Sequence, residues 1–383
     1  MTPTAAPVGP VASAVAPKVA EPVLEIKGLC VDYGYGEEAV HAVVDCDLTL
    51  RRGQVLGLAG ESGSGKSTIA MAAIRLLRAP GIITGGEVTF YSRKTGPDGE
   101  RVTIDMLAAS EEQLRSVRWS DISVVFQSAL NALNPVKSIG YQFDDLLRVH
   151  RPDLSSSQRM ERAAHLLNLV GMTGDRLRSF AHELSGGMRQ RAMIAMALAL
   201  EPQVMILDEP TTALDVVTQR EILEELMGLR DRLGFAALFI THDLSLLVEL
   251  ADDIAVMYAG RLAERAASAS LFRSPRHPYT YGLLHCFPPM HGERGSMDGI
   301  PGSPPDLKHI PSGCAFHPRC PWAMERCRLE VPVLSSINGS SREAACWLHS
   351  AGATVPAELG LPDPSAPKPP SPPAAPRVRR ADR

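Results

Sequence analysis

The sequence predicts an α/β fold built on a mostly parallel sheet, followed by a small Cys/Pro-rich C-terminal domain. Three observations carry this expectation. From residue 23 to 261, short β-branched runs alternate with helical patterns, as in a sheet covered by helices. The run Val55-Leu56-Gly57-Leu58-Ala59 reads as a buried strand that leads straight into a glycine-rich loop and then a helical pattern over 68–78. A second apolar run, Val204-Met205-Ile206-Leu207, stops at two adjacent acids, Asp208 and Glu209.

Composition divides the chain into further zones. Residues 1–22 are rich in Ala, Val and Pro, lack the basic start and unbroken apolar stretch of a signal peptide, and are expected to be a disordered tail. Residues 262–350 are rich in Pro, Cys and His, as expected of a small domain held by something other than a large apolar core. Residues 351–383 are Pro/Ala-rich and are expected to be disordered. With 45% hydrophobic and 21% charged residues over 383, the chain reads as an ordinary soluble protein. No apolar run approaches the roughly 18 to 20 residues that a membrane-spanning helix needs. The formal net charge of −4 leaves no basic footprint, so no nucleic-acid partner is expected.

The loop after the first strand is Gly60-Glu61-Ser62-Gly63-Ser64-Gly65-Lys66-Ser67, with Thr68 continuing into the helix. Glycines let backbone N–H groups turn inward around phosphate oxygens, and a helix start adds its positive dipole end. Lys66 then suits the β- and γ-phosphates of ATP, and the Ser67 hydroxyl suits Mg²⁺. An apolar run ending in two acids is, alone, as often a solvated strand end. Parallel sheets, however, place functional groups at the carboxyl ends of their strands, which puts these acids beside the cradle. There Asp208 fits the Mg²⁺ shell and Glu209 fits a general base for the attacking water.

Leu184-Ser185-Gly186-Gly187-Met188-Arg189-Gln190 opens a helical pattern over 188–200 with a hydroxyl and two glycines, a second anion-facing helix start. This run resembles the signature of ATP-binding-cassette (ABC) ATPases. The resemblance implies a P-loop NTPase core with a helical subdomain at about 128–200, and Ser185, Gly186 and Gly187 gripping the γ-phosphate of ATP bound to an opposing subunit. It further implies Gln127 as the Q-loop glutamine at Mg²⁺, and Ala213-Leu214-Asp215 as the D-loop. His242, after a strand at 237–240, is implied as the switch histidine at the γ-phosphate. Tyr33 is implied as the aromatic on which adenine stacks, with Tyr35 a neighbouring alternative. A helix over 217–233, with Ile222, Leu226, Leu229 and Leu233 on one side and Gly234 as its stop, suits a cover helix of the core.

The late segment narrows the resemblance. Arg276-His277-Pro278-Tyr279-Thr280, Ile300-Pro301-Gly302-Ser303-Pro304-Pro305-Asp306-Leu307 and Gly313-Cys314-Ala315-Phe316-His317-Pro318-Arg319-Cys320 are similar to the C-terminal extension of oligopeptide/dipeptide importer ATPases. That branch implies import of di- or oligopeptides, with nickel, glutathione or another small solute as alternatives. It also implies a peripheral position on the cytoplasmic side of the cell (inner) membrane, two transmembrane permease subunits and an extracytoplasmic solute-binding protein. Met188 resembles the first of the two ATPases such importers pair, which implies a heterodimer with a second ABC ATPase subunit. Residues 128–135 depart from the branch, where an Asp-Pro pair more often follows the glutamine; that bears on permease docking and leaves the ATP chemistry untouched. A soluble ABC ATPase acting on nucleic acid or ribosomes is the rival reading, but such relatives generally carry tandem cassettes or a long coiled-coil insertion.

Four of the seven cysteines, Cys314, Cys320, Cys327 and Cys346, fall late, separated by five, six and eighteen residues. That spacing is too wide for a paired CxxC zinc ribbon, and a reducing compartment disfavours disulfides. A 4Fe-4S cluster, zinc, or buried free thiols remain, with a metal pinning the small domain. A metal-sensing switch with the ATPase as its output is a further reading of the same cysteines.

Overall fold

Alternation along the strands decides which way the central sheet faces. The computed structural model describes residues 20–96, 99–126, 132–212, 214–286, 299–337, 339–350 and 353–359. Strands β1 (Pro22–Tyr33), β2 (Val40–Arg51), β4 (Gly81–Thr95) and β5 (Arg101–Asp105) form an antiparallel sheet in the order β2-β1-β4-β5. The larger sheet has a parallel centre made of β3 (Val55–Ala59), β6 (Ile122–Val125), β7 (Val204–Asp208), β8 (Ala236–Thr241) and β9 (Asp253–Tyr258), ordered β9-β3-β8-β7-β6. Successive strand side chains point to opposite faces. Leu56, Leu58, Val204, Ile206, Leu238 and Ile240 therefore meet the antiparallel sheet and helix α1 (Lys66–Ala73) in one core. Met205, Leu207, Ala237 and Phe239 point the other way, toward the helices.

Those helices include α3 (Ile139–His150), α4 (Ser156–Leu169), α5 (Gly186–Ala197) and α6 (Val216–Leu233), with the short α2 (Glu111–Val117) and α7 (Leu244–Leu250) elsewhere in the main body. α6 starts on Asp215, whose carboxylate accepts the Thr218 N–H at 2.9 Å, and ends on Gly234 at φ 70°. Ile222, Leu226 and Leu229 are buried as expected, but Leu233, one residue before the cap, is 39% exposed. α1 stops at Ala73, well short of the expected 78. Arg75 turns to φ 51°, and the Arg118 guanidinium takes the carbonyls of Ile74 and Arg75 at 2.9 and 2.8 Å.

The C-terminal segment packs onto the main body through its first strand and helices. β10 (Arg261–Ala267) pairs antiparallel with β9, and β12 (Glu343–Ala344) and β11 (Ser335–Ser336) extend the same sheet. From α8 (Ser268–Arg273) and α9 (Pro278–His285), Leu271, Tyr279 and Leu283 join the helix-side core, as does Phe316. Near its end lies α10 (Glu325–Leu329). Part of the segment is thus held by apolar burial on the main body. Among the described residues no helix is long and apolar enough to cross a membrane.

Candidate active site

Parallel strands β3, β7 and β8 lie side by side, so the residues that follow their carboxyl ends meet at one edge of the sheet. The loop after β3 is pressed against the protein at two glycines. A Cβ on Gly60 (φ 149°) would stand 2.3 Å from the Met257 carbonyl oxygen, and one on Gly65 (φ 104°) 2.2 Å from that of Ala42. Only hydrogen fits there. Gly63 (φ 78°) faces open space, but its backbone conformation is one that L side chains rarely adopt.

Lys66 is buried and folded into this loop. Its Nζ donates to the carbonyl oxygens of Gly60 and Glu61, both at 2.8 Å, and to Ser64 Oγ at 3.3 Å. Burial lowers its pKa, while the charges of Glu209, Asp208 and Glu61 work to raise it. The ammonium is thus surrounded by oxygen acceptors that phosphoryl oxygens can replace. Ser67 Oγ donates to Asp208 Oδ1 at 2.9 Å, which joins the start of α1 to the end of β7. Burial raises the Asp208 pKa, Ser67 opposes that shift by its hydrogen bond, and the Glu209 charge adds to it. A hydroxyl and a carboxylate oxygen in contact are the hard donors that Mg²⁺ takes, so these residues fit the ion.

Glu209 follows β7 with φ 46°, its N–H donating to the Ile240 carbonyl at 2.9 Å. Its two carboxylate oxygens face different groups: Oε1 lies 3.1 Å from His242 Nδ1, and Oε2 accepts from Thr212 Oγ1 at 3.0 Å. A carboxylate braced on both sides and standing next to Asp208 has its orientation fixed, as a general base needs.

The other expected residues are spread around this centre. The Tyr33 and Thr68 hydroxyls are hydrogen-bonded at 3.4 Å, so Tyr33 reaches the first turn of α1, whereas Tyr35 is 78% exposed. Ser62 and Gly63 line a cleft with Glu61 and Ser64. Ser185 caps α5, its Oγ accepting from the Met188 N–H at 3.3 Å, and Gly186 and Gly187 form the first turn. A Cβ on Gly187 would lie 2.6 Å from Thr218 Cγ2, so this glycine lets α5 approach α6. Asp215 is spent on capping α6 in this single chain. Gln127 and Ala213 lie outside the described residues.

One group at the site was not singled out from the sequence. Arg319 forks onto Glu61, Nη1 to Oε2 at 2.7 Å and Nη2 to Oε1 at 3.0 Å. The Glu61 N–H donates to Tyr279 Oη at 2.8 Å. The pairing spans 258 residues and follows no spacing rule; its only sequence trace is that Arg319 lies in the Gly313–Cys320 run that carries the family likeness.

The expected metal centre is not formed as placed. Among the described residues no group of three or more His, Cys, Asp or Glu side chains stands where it can hold a metal ion, and Cys314, Cys320, Cys327 and Cys346 are free. Burial raises the Cys314 thiol pKa and pushes those of Cys320 and Cys346 up to about 12. The four do share a neighbourhood: Cys346 feels Cys314, Cys320 and Cys327 electrostatically, and the Cys314 N–H donates to the Cys327 carbonyl at 2.7 Å.

Comparison with known proteins adds to this geometry. A family profile described as ABC transporter matches residues 43–212, and one described as oligopeptide/dipeptide transporter, C-terminal region, matches 263–327. A putative peptide import ATP-binding protein of Brucella melitensis is 44% identical over 329 residues, covering 83% of this chain and 95% of that one. The oligopeptide transport ATP-binding protein OppD of Salmonella typhimurium is 40% identical over 334 residues, covering 87% and 95%. Among solved structures, a dimeric ATP-binding cassette in a post-hydrolysis state with ADP and Pi aligns at TM-score 0.55 and 27% identity, covering 64% of this chain and 98% of that one.

Proposed function

The chain belongs to the ATP-binding proteins of peptide-import ABC transporters, and on that premise we propose how its residues bind and hydrolyse ATP to energise uptake. It is an ATPase coupled to transport, acting with ATP and Mg²⁺. The observation that carries the assignment of roles is the meeting of Ser67, at the start of α1, with Asp208 at the end of β7, and of Glu209 with His242 just beyond the neighbouring strands β7 and β8.

In this reading the N–H groups of residues 60–68 and the Lys66 ammonium receive the phosphates, and Tyr33 receives the adenine. Ser67 and Asp208 hold Mg²⁺, with Gln127 beside them; the ion, when bound, neutralises charge on the phosphoryl oxygens. Glu209 takes the proton of the attacking water, and His242 keeps the carboxylate aimed and faces the γ-phosphate. Ser185, Gly186, Gly187 and Asp215 act across a dimer with a second ABC ATPase subunit, which leaves Asp215 to its own helix in a single chain. Closure of that dimer drives two permease subunits from the cytoplasmic side of the membrane, with a solute-binding protein delivering peptide outside. The names of the relatives favour peptide over nickel or glutathione. The domain division 23–261 and 262–350, with a helical subdomain at about 128–200, belongs to the same reading.

The test is ATP hydrolysis by the purified chain with its importer in proteoliposomes, alongside uptake of labelled dipeptide, glutathione or nickel. Peptide-dependent hydrolysis and accumulation are expected. Hydrolysis driven by glutathione or nickel instead would move the substrate class, and no Mg²⁺-dependent hydrolysis would sink the assignment.

For the four late cysteines we propose a 4Fe-4S cluster, with zinc as the alternative. The shared neighbourhood of the thiols supports it; binding requires the side chains to rotate together and lose their protons. Anaerobic purification followed by iron, sulfide and zinc analysis tests it, and colourless, metal-free protein would overturn it.

A further inference from the structure

A loop built to take phosphates gains from positive charge and backbone donors, and a carboxylate in it works against its ligand. Glu61, the second residue of the loop, is such a carboxylate, and its charge is felt at Lys66. The C-terminal segment answers it. Arg319 forks onto both Glu61 oxygens, donates from Nε to the Pro301 carbonyl at 2.8 Å, and lies 5.9 and 6.0 Å from the ring centres of Tyr258 and Phe316. Tyr279 Oη accepts the Glu61 N–H, so both the backbone and the side chain of this loop residue are gripped from residues beyond the ATPase core. Only 7% of the Arg319 side chain is exposed. A buried fork of this kind adds little net stability over apolar packing, so fold stability is a poor account of why it sits on the loop.

We propose that Arg319 is a positioning residue for ATP: it cancels the Glu61 charge and fixes that carboxylate away from the phosphates, so that ATP affinity depends on the C-terminal segment. This rests on the ATPase reading above. The guanidinium is matched to the carboxylate at two points, which orients as well as neutralises it. Without it, an uncompensated negative charge stands beside the incoming phosphates.

The test is calorimetric titration of the full-length chain with Mg-ATP, comparing wild type, R319K, R319M and E61Q/R319M. R319M is expected to bind ATP about tenfold more weakly, with the loss shrinking at high salt because the cause is charge. R319K, which keeps the charge but not the fork, is expected to lose less than R319M. E61Q/R319M, which removes both charges together, is expected to return to within about threefold of wild-type affinity. Wild-type affinity in R319M, or a loss that neither salt nor E61Q relieves, would overturn the proposal. If R319M alone does not fold by circular dichroism, E61Q/R319M decides: affinity near wild type supports the proposal and a tenfold loss overturns it. Absence of ATP binding by wild type would instead defeat the ATPase reading itself.

Discussion

Ser67 Oγ donates to Asp208 Oδ1 at 2.9 Å across 141 residues of sequence, so the phosphate loop and the acidic end of β7 form one site. Asp208 is held there against its own burial, which raises its pKa, and against the adjacent Glu209. Asp208→Asn removes the charge while keeping the shape. ATP hydrolysis should fall by about 10²-fold or more as the Mg²⁺ shell is weakened. Thermal stability should hold or rise, since the charged form is the one the fold disfavours. Steady-state ATPase assays over a Mg²⁺ range, together with a melting curve, check both halves. A drop in activity that merely followed a drop in melting temperature would remove the metal-site role.

Glu209 and His242 make a separable prediction. The Oε1 to Nδ1 distance of 3.1 Å leaves the other carboxylate oxygen to Thr212, so His242 and Thr212 together orient the Glu209 carboxylate. Glu209→Gln should reduce single-turnover hydrolysis by about 10² to 10⁴-fold while leaving ATP bound, because proton transfer is lost and the cradle is not. His242→Ala should lose less than Glu209→Gln if its task is to aim the base. Equal Kd for ATP with blocked hydrolysis is the expected pattern in both; a loss of ATP binding that matches the loss of turnover would reassign them to binding.

What was legible in the sequence follows from how local its cause is. β3, the glycine loop and Lys66 were readable because a buried strand, a turn and a helix start each have their own short-range signal. The pairing of Asp208 with that loop was readable from the rule about parallel strand ends. The end of α1 was not, since it is set by Arg118 reaching back to the carbonyls of Ile74 and Arg75. Leu233 fits the apolar stripe of α6 yet lies exposed at its last turn, beside a cap that the sequence did mark at Gly234. Arg319 on Glu61 was invisible for the same reason as Arg118: a long side chain finds its acceptor through the tertiary fold. The cysteine spacing indicated a common neighbourhood but carried no information on where each thiol points.

Gly65 and Gly63 sit in the same loop and should respond differently to a methyl group. At Gly65 the new Cβ meets the Ala42 carbonyl oxygen at 2.2 Å with φ at 104°, so backbone must move. At Gly63 there is open space and the conformation alone, φ 78°, opposes alanine. Gly63→Ala should therefore cost about 1 kcal/mol, and Gly65→Ala at least about 2 to 3 kcal/mol more, with ATP binding lost in the latter. Urea unfolding of both variants checks the order. Equal costs would mean that the loop relaxes freely away from Ala42, contrary to a rigid cradle.

His277 should make the protein acid-sensitive well above the carboxylate range. It is buried at the start of α9, with its Nδ1 accepting the Tyr279 N–H at 3.0 Å and its backbone N–H donating to Glu264 Oε2 at 2.8 Å. Burial first, and the neighbouring His349 second, push its pKa down to about 3. Unfolded, the imidazole takes a proton near 6.5. Between those values the unfolded chain binds one more proton than the folded one, so stability is full above about pH 6.5 and falls as pH drops, by about 1.4 kcal/mol per unit. His349, lowered by burial, acts in the same direction, whereas Glu264, raised by burial, acts in the opposite one. His277→Asn keeps a helix-capping acceptor and removes the titrating group. Because the variant shares His349 and Glu264 with wild type, the difference isolates His277: from pH 7 to pH 5 wild type should lose about 2 kcal/mol more than the variant in urea unfolding. Parallel pH profiles would show that the imidazole takes up its proton inside the fold.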